Sequence, residues 1–302
     1  MTHVAEPVTL TAGDLATTWC PGAGMIGASL RHRGEELLGQ RFGLEGYVER
    51  GSTFGIPLLA PWANRVGGDD FEVPGTGQRV RLPGDSPFVK LEEHGIPIHG
   101  LLAASPRWRV TEQTAASLAA EHDVDGRLLE LFPFPHKLAV AVDLDEAGLA
   151  VTTTVTPSAR TPVPVAFGWH PYFAPPGAAR AEWVLDLPAR RHLLVDDRAL
   201  PTGATEPAPA ERAPLGDRTF DDGYDELAAP VLAVEGGGRR IEVLLGEGYD
   251  VTQVFAPPNQ DLVALEPMTA PADALRTGRG LRTVQPGDAF GATFRIAVGP
   301  AS

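Results

Sequence analysis

The 302-residue sequence predicts an all-β fold, and three observations carry that prediction. Glycine and proline are abundant, at 34 and 29 residues, without low-complexity repeats, so the chain must turn often and its strands must be short. Two apolar runs, 140–145 and the threonine-rich 149–156, flank Glu146-Ala147-Gly148 and read as a β-hairpin. The one Ala-rich stretch, 115–121, is short and lies among strand patterns, so it too reads as strand. Few, short helices are expected. The length suits one large β domain or two smaller ones.

Taken in order, residues 7–50 form a strand-rich opening, with short strands at 8–10, 22–30 and 35–38 joined by glycine turns. Phe71-Glu72-Val73-Pro74-Gly75 starts a hairpin, and 108–156 is a meander of strands. Residues 174–217, rich in Pro, Ala, Gly and charge, read as long surface loops broken by short strands at 183–187 and 192–195. Strands follow at 241–245, 251–255 and 262–265, and the last is 290–298.

Charge and cysteine usage exclude several classes. The formal net charge is −14, which repels phosphate backbones and anionic membrane surfaces, so neither nucleic acid nor membrane is an expected partner. One cysteine, Cys20, permits no intramolecular disulfide and no multi-cysteine zinc site, and it reads as a small buried hydrophobe. The N-terminal residues lack a basic segment followed by an apolar one, and no apolar run has the length of a membrane span. A cytoplasmic location is the expectation.

Four polar clusters punctuate the strands. The most telling is Val165-Ala166-Phe167-Gly168-Trp169-His170-Pro171-Tyr172-Phe173, where an apolar run delivers a histidine among aromatics. Imidazole exchanges a proton near neutrality, and flat Trp and Tyr faces match the C–H faces of a sugar ring. A lone histidine is more often a core residue satisfied by a carbonyl. The other clusters shift that balance. Pro61-Trp62-Ala63-Asn64-Arg65 ends an apolar run in groups able to grip vicinal hydroxyls. Ile98-His99-Gly100 places a second histidine at a strand-to-turn junction. Phe220-Asp221-Asp222-Gly223-Tyr224 could accept hydrogen bonds from hydroxyls or be an ordinary acidic turn. In Leu262–Asp273 a strongly apolar strand ends in Glu266; lost solvation there would raise its pKa and make it a better base.

In this order, the five motifs Pro61-Trp62-Ala63-Asn64-Arg65, Ile98-His99-Gly100, Gly168-Trp169-His170-Pro171-Tyr172-Phe173, Phe220-Asp221-Asp222-Gly223-Tyr224 and Glu266-Pro267-x-x-x-Pro271-x-Asp273 resemble the aldose 1-epimerase (galactose mutarotase) superfamily. The Gly-Trp-His-Pro-Tyr-Phe run is highly specific, and the resemblance spans nearly the whole chain. It implies a large antiparallel β-sandwich, one domain over 1–302, with a sugar cleft across one face. It implies Glu266 as general base, His170 as general acid, His99 as a second histidine near the ring oxygen, and Asn64 and Arg65 as sugar-binding positions. The acidic sugar ligand falls on Asp221 or Asp222, with Asp221 preferred, and Trp169 is expected to touch the substrate. No cofactor or metal is implied, because acid and base exchange roles on ring opening and closure. The substrate would be a monosaccharide, and either a monomer or a homodimer is compatible.

The stretches after Arg65 and around His99 resemble divergent bacterial members, hexose-6-phosphate epimerases among them. Arg65, Lys90, Arg107 and Arg160 are candidates for a phosphate site, although the net charge weakly disfavours an anionic substrate. A glycoside hydrolase would need a second carboxylate, for which Asp221 is the candidate. A sugar-binding protein without catalysis is the remaining rival, since a fold does not guarantee chemistry.

Overall fold

The structure, a computed structural model, describes residues 6–301. Antiparallel strands dominate it, with three short α-helices among the described residues. Two large sheets face each other. The nine-stranded sheet runs in the order Glu211–Pro214, Val184–Leu187, Val231–Gly236, Arg239–Leu245, Phe290–Pro300, Gly148–Pro157, His136–Asp145, Ser117–Val124, Arg109–Gln113. Its central strands alternate: Leu138, Val140, Val142 and Leu144 are buried, while their neighbours are half-buried or, like Asp143 and Asp145, exposed. That period-2 pattern turns one face of the sheet to the core. The register Val142↔Val151 and Leu144↔Leu149 stacks those inward residues across the expected hairpin.

The second sheet has eight strands. Its path runs Pro201–Ala208, Arg190–Val195, Phe220–Asp225, Val251–Ala256, Val263–Met268, Gly168–Trp169, Leu58–Leu59, and Tyr172–Phe173 also pairs with Val263–Met268. Val263–Met268 is buried along its whole length because both of its faces are covered. Val263 and Leu265 join the main core. Ala264 and Met268 point the other way, into small clusters with Tyr172 and with Leu59 and Ala63. Aromatic rings lock the sheets together: Trp169 meets Trp19 edge-on at 5.8 Å and Phe294 at 6.0 Å. A four-stranded sheet from the opening segment, Val8–Ala12 through Glu35–Glu36, supplies Trp19.

Two expectations need correction. Residues 43–50 are a helix, Gly43–Arg50, not strand. Two glycines hide its helical character, and of its residues only Gly46 and Tyr47 are buried. Residues 174–217 are not mainly loop: they also contain the strands Pro201–Ala208 and Glu211–Pro214. Pro201–Ala208 lies at the sheet's edge and is mostly exposed, so it carries no alternation to read, and Pro207 is tolerated opposite Arg191. The Ala-rich stretch is indeed strand, Ser117–Val124, and Cys20 is buried.

Candidate active site

The site lies on the face of the eight-stranded sheet turned away from the core. Strand pairing puts Glu266 opposite Gln253 and Gln253 opposite Gly223, so these residues and Asp221 share that face. Gln253 Nε2 donates to Asp221 Oδ1 at 2.8 Å. Gly168 pairs with both Met268 and Leu59 and belongs to the same face. A Cβ on Gly168 would stand 2.9 Å from the Ala63 side chain and 2.9 Å from the Pro267 carbonyl. Only glycine permits so close an approach, and it brings the Asn64 loop against the Glu266 strand. Trp169 must then point inward, and His170 returns to the site, its N–H bonded to the Pro57 carbonyl at 3.1 Å.

Two loops complete the arrangement. Gly100 lies against the Ala60 carbonyl, which a Cβ would approach to 2.0 Å. His99 donates its N–H to the Asn64 carbonyl at 3.1 Å, tying the loops together. Asn64, His99 and Asp273 have φ of 56°, 65° and 61°, a left-handed conformation that costs a non-glycine residue on the order of 1 kcal/mol or more. Asp273 offsets this locally. Its N–H donates to the Arg65 carbonyl at 2.7 Å, its carboxylate accepts from the Gly67 N–H at 2.8 Å, and Arg276 pairs with it.

At the centre, His170 Nε2 lies 3.1 Å from Glu266 Oε1. The His170 ring stacks on Tyr172 at 4.1 Å and meets His99 edge-on at 5.5 Å. The Tyr172 hydroxyl is anchored on Thr53 Oγ1 at 2.7 Å. Arg65 Nη2 donates to Asp221 Oδ2 at 3.0 Å, and its Nε lies 3.7 Å from Glu92. Burial pushes the Glu266 carboxyl well above the usual carboxylate range, helped by Asp221 and opposed by Arg65. Burial likewise pushes His170 well below its ordinary value, as do His99 and Arg41. His99 is lowered by burial and then by Lys90 and Arg65. Among the described residues, Glu266 Oε2, His170 Nδ1, His99 Nδ1 and Arg65 Nε have no hydrogen-bond partner. Such a concentration of unpaired buried polar atoms marks a place built to receive one.

Glu266 and His170 are themselves nearly covered, with side-chain exposures of 2% and 5%. The hollows nearest to them are lined by their neighbours. A cleft of about 340 Å³ is lined by Leu58, Leu59, Lys90, His99 and Gly100. A second hollow, of only about 20 Å³, lies among Asn64, Arg65, Asp221, Gln253 and Met268. A larger cleft of about 690 Å³ lies elsewhere, but both arginines lining it are already paired, Arg33 with Asp14 and Arg239 with Glu35. Chemistry, not volume, selects the site.

Of the residues singled out from the sequence, Asn64, Arg65, His99, His170, Asp221 and Glu266 come together. Trp169 and Asp222 do not. Trp169 is fully buried between the sheets, its indole N–H bonded to Thr153 at 3.0 Å. Asp222, on the opposite face of its strand from Asp221, accepts from His192 Nε2 at 3.1 Å. Arg107 pairs with Asp125 away from the site, whereas Lys90 lines the cleft. Sequence reasoning assigned no role to Gln253, Arg41 or Asp273. The apolar run around Gln253 was its only signal: a single amide in an otherwise strand-like sequence.

Fold and site together define a β-sandwich protein with a buried histidine–glutamate pair set among polar side chains. The chain belongs to the aldose 1-epimerase family, whose model matches residues 8–297. It is 25% identical over 315 residues to an uncharacterized protein of Escherichia coli K12, YihR, covering 96% of this chain and 92% of that one. Solved structures of similar fold include a galactose mutarotase-like protein of Clostridium acetobutylicum (TM-score 0.83, 17% identity, 98% and 95% of the two chains). Another is galactose 1-epimerase of Lactobacillus acidophilus (TM-score 0.77, 16% identity, 98% and 95%). Family membership supports a carbohydrate epimerase role and a sugar as substrate. Among the described residues, no helix is long and apolar enough to cross a membrane.

Proposed function

We propose that the protein is an aldose 1-epimerase that interconverts the α and β anomers of a hexose. The supporting observation is the 3.1 Å contact between His170 Nε2 and Glu266 Oε1, with Glu266 Oε2 and His99 Nδ1 left unpaired beside it. Burial acts oppositely on the two partners, raising the acid and lowering the base. The pair can therefore share one proton, as carboxyl with imidazole or carboxylate with imidazolium.

That single proton suffices for ring opening. In the ion-pair form the Glu266 carboxylate takes the proton from the C1 hydroxyl, and His170 donates its Nε2 proton to the ring oxygen. The C1–O5 bond breaks as the C1=O1 carbonyl forms. Rotation about C1–C2 presents the other carbonyl face, the C5 hydroxyl attacks it, and each proton returns. His99 donates a second hydrogen bond at the ring oxygen. Asn64, Arg65, Asp221 and Gln253 hold the ring hydroxyls, with Arg65 and Asp221 orienting one another. The proton inventory of the pair is the same before and after turnover.

The test is anomer exchange by NMR or polarimetry on freshly dissolved hexoses. Glu266→Gln and His170→Asn should each lower kcat by about 10²-fold or more, as expected for removal of a positioned proton-transfer group. Their thermal unfolding should stay close to that of the parent protein. Parental rates in either variant would remove that residue from the chemistry.

A further inference from the structure

In the run Glu92-Glu93-His94 only the first side chain turns inward. Glu93 and His94 are exposed, whereas the Glu92 side chain is 9% exposed. Its carboxylate divides its two oxygens between two tasks. Oε1 accepts the backbone N–H of His94 at 2.7 Å and that of Ile96 at 3.1 Å. The Glu92 N–H donates to the Ile96 carbonyl at 3.0 Å, and Leu91 bridges to Pro97. These bonds close the tight turn that leads into Ile98-His99. Among the described residues, Oε2 has no hydrogen-bond partner, and it faces the equally unpartnered Arg65 Nε at 3.7 Å.

The turn alone does not call for a charge. An amide oxygen in the same place would accept both N–H groups without the cost of burying a carboxylate. The charge has its use at Arg65. Nε and Nη2 of an arginine form one edge, at which a single carboxylate can take two parallel bonds. Arg191 and Asp225 pair in that way, with Nε to Oδ1 at 2.7 Å and Nη2 to Oδ2 at 2.8 Å. In Arg65 the same edge is split. Nη2 donates to Asp221 Oδ2 at 3.0 Å, while Nε turns to Glu92. Asp221 thus receives one bond from Arg65, and its other oxygen takes the Gln253 amide at 2.8 Å.

We propose that Glu92 is a positioning residue for sugar binding. Its charge keeps Arg65 from closing onto Asp221 through both bonds, which leaves Asp221 with acceptor capacity for a sugar hydroxyl. Glu92 itself touches neither sugar nor reacting atoms. The inference rests on the mutarotase reading, in which Arg65 and Asp221 hold ring hydroxyls. The turn and the arginine are also laced together by backbone: Arg65 bridges to Ile98, and the Val66 N–H donates to the Pro97 carbonyl at 2.9 Å. One carboxylate therefore sets both the approach to His99 and the attitude of Arg65. A grip on hydroxyls away from the reacting bond acts on ground state and transition state alike, so its loss falls on KM more than on kcat.

The experiment uses Glu92→Gln, which keeps an oxygen for His94 and Ile96 and removes the charge. Proton–nitrogen NMR follows the Arg65 Nε–H, assigned by its loss in Arg65→Gln. In the parent protein that N–H should exchange slowly with water, and in Glu92→Gln its signal should shift as the edge closes onto Asp221. Circular dichroism and thermal unfolding check the fold. In anomer exchange on glucose and galactose, KM should rise about fivefold or more, with the change in kcat below about twofold. In the Arg65→Gln background, Glu92→Gln should add nothing further to KM, because it acts through Arg65. A merely structural role would add its effect in either background.

A freely exchanging Arg65 Nε–H in the parent protein overturns the proposal without any variant. So does an unmoved signal in Glu92→Gln, or an equal rise in KM in both backgrounds. If the signal moves as expected yet the parent protein never accelerates anomer exchange, the mutarotase reading falls and the hold of Glu92 on Arg65 stands. If exchange is fast and Glu92→Gln leaves KM untouched, the reverse holds.

Discussion

His170 and Trp169 are neighbours in sequence with opposite fates. Consecutive residues on a strand point to opposite faces, so once His170 turns to the cleft Trp169 must enter the core. The same rule separates Asp221 from Asp222. Trp169→Phe should therefore lower stability, by about 1–2 kcal/mol for the lost hydrogen bond to Thr153 and the lost ring volume, while leaving KM unchanged. A rise in KM without a fall in stability would return Trp169 to the substrate. For the His170–Glu266 pair, the lowered imidazole fixes the acid limb of the pH–rate profile. The pair gains a second proton only below the ordinary histidine value of 6.5, so kcat/KM should hold through neutrality and decline below pH 6.5. An acid limb centred at or above pH 6.5 would show that burial does not govern this imidazole.

Among the elements, the loop after Val263–Met268 does more than turn the chain. Asp273 holds Arg65 through its backbone N–H and Gly67 through its carboxylate, and it accepts Arg276 as its counter-charge. Asp273→Ala would strand the Gly67 N–H and place alanine at φ 61°. It should cost roughly 1–3 kcal/mol and raise KM through the misplaced Asn64–Arg65 loop. Asp273→Asn tolerates the left-handed backbone and keeps an acceptor oxygen, so it should retain most of the affinity. Equal losses in the two variants would mean that the negative charge, not the loop geometry, matters. Elements also differed in how plainly the sequence announced them. Val140–Asp145 and the strand of Glu266 were readable because burial on one or both faces writes itself into residue polarity. Pro201–Ala208 and the helix Gly43–Arg50 were not, because each is held by neighbours at the surface and little of it is buried. The site residues carried by compact motifs could be named in advance. Gln253 reaches the site only through strand pairing, beside Glu266 and Gly223, and no local spacing announces that.

For the molecule as a whole, neutral histidines are a built-in sensitivity to acid. His136 and His122 are buried, the first with Nδ1 against the Phe134 carbonyl at 2.6 Å, and burial lowers both to about 4. The unfolded chain binds protons on these side chains below pH 6.5, whereas the folded chain does not until near pH 4. Their contribution is thus complete above pH 6.5 and is lost as pH falls through that window, by on the order of 3 kcal/mol for each histidine. Urea unfolding at pH 7 and pH 5 should show the decline. His136→Gln should lose less stability than the parent protein between those two values, and an identical loss would locate the acid sensitivity elsewhere.

Gly168 has a consequence for what the protein can accommodate. With its hydrogen atom pressed between Ala63 and the Pro267 carbonyl, it acts as the thinnest shim the genetic code allows between the loop that bears Asn64 and the strand that bears Glu266. Every other amino acid would lever those two elements apart. The jaw width available to a sugar ring is thereby set by the absence of a side chain at one position, not by the size of any residue that faces the ring.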